Sequence, residues 1–205
     1  MIRAALRIVD DGGLSALSMR RLGAELGVDP MTAYRHLPNK EALLDGLVEA
    51  VVTEIDLGVD PGLPWQGQLR RLIDANLAVL LAHPNVLPLI AQRPLTTPES
   101  LRLVEKALVI MDGAGIPRHE ALLAINVMGF MITAQALAMS ASVTDSRSTE
   151  QLHEVFSSLP AGEFPFIVDA MARGEFIEDY GQLLDFWVDA LLAKLKASVA
   201  ESGRG

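Results

Sequence analysis

The chain has 205 residues, half of them apolar and about a fifth charged, with a mean hydropathy of +0.30, a composition that excludes a disordered polypeptide and suffices for a substantial core over one or two domains. The absence of cysteine excludes thiol nucleophiles, iron–sulfur clusters, Cys-type zinc sites and disulfide frameworks. Seventeen Lys and Arg against 26 Asp and Glu give a net charge of −9, which repels phosphate backbones and anionic lipid, so any nucleic-acid binding must sit in a local patch.

The N-terminus scatters Arg3, Arg7 and Asp10 among its apolar residues and has no uninterrupted apolar run, so it is not a secretory signal, and a cytoplasmic location fits. Apolar residues recur at three- and four-residue spacing, and β-branched residues never alternate over a useful length. The chain is therefore read as all-α. Ala4-Ala5-Leu6 belongs to a first helix. Ser18 is a good N-cap for a second whose inward positions are Leu22 and Leu26, and Gly27 supplies the left-handed residue that closes it. Asp29 caps a third, with Pro30 at the first position, where the N–H would be unpaired anyway. Two short helices joined by a glycine-containing turn of this length form a helix-turn-helix. Pro38-Asn39 ends that unit and caps a helix from Lys40 to about Asp56, with Leu43, Leu44, Leu47, Val51 and Ile55 on its apolar face.

The segment Pro30 to His36 is about two turns, or ~10 Å, long, which suits a helix laid in a major groove. Ala33 and Leu37 face inward, leaving Met31, Thr32, Arg35, Tyr34 and His36 toward solvent. Arg35 can read guanine with two hydrogen bonds, Thr32 can donate or accept at several base edges, and Met31 offers apolar contact to a thymine methyl. Tyr34, Lys40, Ser18 and Arg20 are placed to contact phosphate, which sets register without reading sequence. Residues 19–40 carry a net +2, leaving −11 on the rest of the chain. Plainer roles exist for some of these groups. Tyr34 can pack its ring on the preceding helix, Arg21 can pair with Glu25 four residues on, and His36 can simply stabilise a helix C-terminus.

A proline- and glycine-rich stretch, Leu57-Gly58-Val59-Asp60-Pro61-Gly62-Leu63-Pro64-Trp65, separates an N-terminal unit of residues 1–56 from a larger unit of residues 57–205. In the larger unit helices are expected at about 66–83, 86–92, 98–112, 118–141, 163–173 and 177–197, with fraying from Val199 onward. His83-Pro84 stops the first of these, Thr97-Pro98-Glu99 starts the third, and the glycines at 113 and 115 end it. A polar break spans 142–162, in which residues 150–156 have the pattern of a short amphipathic turn. Residues 121–144 carry no charge and are long enough for the ~20 residues of a membrane span. Asn126, Gly129, Thr133, Gln135 and Ser140 are spread over several of its faces, however, and suit a helix enclosed by protein rather than by lipid.

That helix has more apolar surface than one interface consumes, so part of it is expected to line a cavity with Leu89, Arg93, Met111, Asn126, Phe130, Met131, Thr133, Ala134 and Met171. Methionines adapt to irregular ligands, which points to a bulky apolar effector; the same pattern also describes plain core. No metal or cofactor is expected. An enzyme is the competing class, yet the four histidines lie far apart, and HExxH, GxSxG, P-loop and GxGxxG motifs are all absent. An all-helical small-molecule-binding protein whose helix-turn-helix serves protein contact is a further alternative.

Residues 4–50 resemble the DNA-binding domain of the tetracycline-repressor (TetR) family. The resemblance rests on Ala4-Ala5-Leu6, Gly13-Leu14-Ser15-Ala16-Leu17-Ser18-Met19-Arg20-Arg21-Leu22-Gly23, Gly27-Val28, Tyr34-Arg35-His36-Leu37 and Asn39-Lys40-Glu41-Ala42-Leu43-Leu44. It extends more weakly to Trp65, Gln92-Arg93-Pro94 and Phe186-Trp187. The resemblance implies an N-terminal three-helix DNA-binding domain joined to a larger helical ligand-binding and dimerisation domain. It also implies a homodimeric, effector-responsive regulator, usually a repressor, in which helices 118–141 and 177–197 of two copies form a four-helix interface. Two departures stand out. Only Arg3 and Arg7 are available near the start of the first helix, where relatives commonly carry more basic residues. The position of the drug-holding histidine in the tetracycline-binding member is taken here by Asp56, so magnesium–tetracycline is not assigned as the inducer.

Overall fold

A computed structural model describes residues 1–29, 39–93, 95–144, 151, 154–175 and 180–202. In chain order the helices are α1 (Ile2–Gly12), α2 (Met19–Leu26), α3 (Lys40–Val52), α4 (Trp65–Ala82), the single turn α5 (Leu87–Ile90), α6 (Pro98–Gly113), α7 (Arg118–Thr144), α8 (Pro165–Ala172) and α9 (Tyr180–Ser202). There is no strand among the described residues.

The start and stop chemistry acts where the side chains place it. Ser18 Oγ accepts from the Arg21 amide at 3.2 Å, and Asn39 Oδ1 accepts from the Ala42 amide at 2.8 Å. Thr97 and Ser100 form a reciprocal capping box at the start of α6. Gly27 closes α2 at φ +66°, while the amides of Gly27 and Val28 donate back to the carbonyls of Ala24 and Gly23, so the turn needs a residue without a Cβ.

Three boundaries differ from expectation. α3 ends at Val52 rather than Asp56, because the Thr53 hydroxyl donates to the carbonyls of Glu49 and Ala50 and the Asp56 carboxylate accepts from the Gly58 amide, forming a turn instead of a further helical one. In place of a helix over 86–92 there are a 3₁₀ turn (Pro84–Val86) and the four residues of α5. The C-terminal helix does not fray at Val199. It runs to Ser202, anchored by buried Leu195 and Ser198.

One apolar core runs through the molecule, from Ala5 and Val9 of α1 and Leu22 of α2 to Leu47 and Val51 of α3, Leu69 and Ile73 of α4, and Val188 and Leu195 of α9. Fully burying an aliphatic side chain of this kind stabilises by roughly 1.5–3 kcal/mol. α1 packs on α3 so closely that a Cβ on Gly46 would lie 2.6 Å from Ile2 Cδ1. α7, about 40 Å long at 1.5 Å per residue, is the axis of the C-terminal part and packs on α4, α6 and α9. Among the described residues it is the one single helix long and apolar enough to cross a membrane by length and composition. Here Ala121, Ala124, Met128, Ile132 and Ala136 face the other helices, and Gln135 Nε2 donates to the Tyr180 carbonyl. Its opposite side exposes Leu122, Leu123, Val127, Phe130 and Leu137.

Candidate functional site

The DNA-facing residues proposed from sequence divide into two groups. Ser18 and Lys40 stand at the N-termini of α2 and α3, and Arg20 is exposed on the first turn of α2. Met31, Thr32, Tyr34, Arg35 and His36 lie outside the described residues. The pairing expected for Arg21 is not the one formed: Glu25 is taken by Arg7, whose Nη2 lies 3.0 Å from its Oε1 and ties α1 to α2 across the surface. Both partners are exposed, so the tie contributes little energy and serves orientation.

Two clusters of charge join the N-terminal helices to the rest. At the end of α4, the His83 imidazole puts Nδ1 3.0 Å from the Asp10 carboxylate of α1 and Nε2 3.0 Å from Glu54 Oε2, just past α3. Asn85 Nδ2 adds a 2.8 Å bond to the Asp10 carbonyl. Burial favours the neutral imidazole, but the two carboxylates outweigh it and raise the His83 pKa above its ordinary 6.5. The second cluster is a fork on Arg93, which follows α5. Its Nη1 donates to Asp45 and its Nη2 to Glu41, both on α3. The two carboxylates raise the Arg93 pKa.

Arg93 also forms part of the wall of a cleft of about 610 Å³. Its floor is α4 with Asn76 and Leu80, one end is Val52 and Ile55, and its long side is α7 with Asn126, Phe130, Thr133, Ala134 and Leu137. A smaller, almost wholly apolar cavity of about 140 Å³ adjoins it between α4, α6 and α7, sharing Asn76, Leu103 and Ile125. The two together make a mainly apolar pocket whose wider part also carries the polar side chains of Asn76, Gln92, Arg93, Asn126 and Thr133.

The structure thus brings together Arg93, Asn126, Phe130, Thr133 and Ala134 of the residues proposed as effector contacts. Leu89, Met111, Met131 and Met171 are not part of that wall. Met111 is fully buried, Leu89 is core, and Met131 and Met171 are half-buried. Met128 instead lines the inner cavity. Asn126 and Thr133 each spend one donor on their own helix, to the carbonyls of Leu122 and Gly129 at 2.8 Å. The His83 and Arg93 clusters were not read from sequence, because their partners lie 29 to 73 residues away and no local spacing records them.

Residues 1–47 match the family described as bacterial regulatory proteins, tetR family, and residues 59–197 match the tetracyclin repressor-like C-terminal domain. The chain belongs to the TetR family. Among its relatives is the HTH-type transcriptional repressor DrrR1 of Streptomyces coeruleorubidus, 29% identical over 98% of this chain and 77% of the relative. Apo ActR from Streptomyces coelicolor superposes with a TM-score of 0.87 at 28% identity, covering 98% of this chain and 95% of that one. The complex of ActR with actinorhodin gives 0.86 at 28% identity over 97% and 95%. This TetR-family chain is a DNA-binding transcriptional regulator and not an enzyme, and its partners are those of the family: operator DNA, a second copy and a small-molecule effector.

Proposed function

We propose that the protein is a homodimeric repressor that reads a palindromic operator through residues 30–36 and is released by a largely apolar small molecule seated in the 610 Å³ cleft. The observation that carries this reading is the double role of the cleft wall. Val52 and Ile55 close one end of the cleft, and Arg93 on the same wall holds Glu41 and Asp45 near the beginning of α3. A ligand there touches the last residue of α3 directly and its first two turns through Arg93.

On this reading residues 1–56 form the DNA-reading unit and 57–205 the effector and dimerisation unit, working in the cytoplasm. Arg35, Thr32 and Met31 read bases, while Ser18, Arg20, Tyr34, His36 and Lys40 set register on phosphates. Leu123, Val127 and Phe130 of α7 and Phe186 of α9, all exposed, supply the apolar face of a four-helix interface with the second copy. Movement of α3 then alters the gap between two reading helices that must fit half-sites one DNA turn, ~34–36 Å, apart. A coupling of ~1–3 kcal/mol suffices to change occupancy. ActR bound to actinorhodin supports the effector side of this reading, since its fold is shared over nearly the whole chain.

The test is selection of binding sites from random duplexes over a salt series, followed by release of the selected duplex by small molecules. A selected palindrome with two half-sites a turn apart is expected. Equal affinity for every duplex sinks the proposal.

A further inference from the structure

We propose that the effector is an acid: a mainly apolar molecule carrying one carboxylate, sulfonate or phenolate, whose anion takes Arg93 from Glu41 and Asp45. This rests on the cleft being the effector site, as proposed above.

Arg93 is the one charged side chain among the described residues lining the cleft. No carboxylate is among the described lining residues, and an anion entering the cleft meets a guanidinium whose present partners, Glu41 and Asp45, lie outside that lining. The polar side chains beside it, Asn76, Gln92, Asn126 and Thr133, are neutral. The inner cavity is apolar and takes the body of the molecule, so its charged end is directed to the outer, Arg93 end.

The exchange is made easy by an asymmetry in exposure. The side chains of Glu41 and Asp45 are 68% and 57% exposed, whereas that of Arg93 is 19% exposed. When Arg93 turns to a bound anion, the two carboxylates return to water at little desolvation cost, and the half-buried cation is never left unpaired. Glu41 and Asp45 are four residues apart on α3, so without Arg93 they repel each other across one helical turn. The ligand therefore removes the tie on the first two turns of α3, which begin immediately after residues 30–38.

The test uses two fluorophores of similar shape, the anionic 1-anilinonaphthalene-8-sulfonate and the neutral N-phenyl-1-naphthylamine, titrated into the full-length protein. Four forms are compared: wild type, Arg93→Gln, the double variant Glu41→Gln/Asp45→Asn, and Gly129→Leu. Gly129 lines both cavities and a Cβ there meets no atom within 4 Å, so a leucine at this position takes up pocket space starting from an open Cβ position. Expected are tighter binding of the sulfonate to the double variant and weaker binding to Arg93→Gln, each by about tenfold, with the neutral probe changed less than twofold. Gly129→Leu should abolish both. If both probes ignore Gly129→Leu, the cleft is not the site and the reading above falls with this one. If Gly129→Leu blocks both probes but the sulfonate responds to the charge variants no more than the neutral probe, the acid assignment alone is overturned. The double variant alters only exposed side chains, so a folding failure of Arg93→Gln does not shelter the proposal.

Discussion

His83 Nδ1, at the end of α4, stands 3.0 Å from the carboxylate of Asp10 in α1, joining residues 73 positions apart in the chain. Glu54 completes the cluster at 3.0 Å on Nε2, and the imidazole is 12% exposed.

The pKa of His83 is raised in the folded protein above its ordinary 6.5, the carboxylates outweighing burial. Its charge therefore adds stability that is full below about pH 6.5 and is lost as pH rises through the folded value. His83→Gln should lower the unfolding free energy by about 1–2 kcal/mol at pH 6, and by less at pH 9. Urea denaturation at the two pH values checks this; a difference that grows with pH contradicts the assignment.

The side-chain caps make a second expectation. Ser18→Ala removes the acceptor for the Arg21 amide and Asn39→Ala the acceptor for the Ala42 amide. Each should cost about 1 kcal/mol, seen as a lower Tm, and the two should add because they cap different helices. Ser18→Asp, which restores an acceptor, should recover the loss.

Leu47 of α3 is fully buried in the apolar core. Leu47→Ala should destabilise by about 2–5 kcal/mol in chemical denaturation. Exposed Leu101 of α6, treated the same way, should change stability by less than about 0.5 kcal/mol.

The exposed apolar faces of α7 and α9 predict where two copies meet. Leu123→Glu with Phe186→Glu, at side chains 62% and 75% exposed, should turn a dimer into a monomer in sedimentation while leaving the helical circular dichroism unchanged. An unchanged dimer would place the interface elsewhere.

Arg35→Ala should weaken the selected operator by about 1–3 kcal/mol with dimerisation intact. Lys40→Ala should weaken all duplexes alike and reduce the salt slope by about one ion. Mobility-shift titrations over a salt series separate the two behaviours.

The helical class, the caps at Ser18, Asn39 and Thr97, the glycine closure at Gly27 and the core stripe of α3 were all legible in the order of residues, because each depends on neighbours within about four positions. The family resemblance was legible for the same reason, since its motifs are local. What escaped was every feature set by distant partners. Arg7 rather than Arg21 meets Glu25, because α1 lies against α2. Met111 is sealed in the core while Met128 lines a cavity, a choice made by how α6 and α7 turn toward each other. Arg93 and His83 become ties to the first helices only after α4 and α5 fold back on α1 and α3. Periodicity reports which side of a helix is apolar, but not which helix will cover it, and charge pairs across 50 or 70 residues leave no spacing to read.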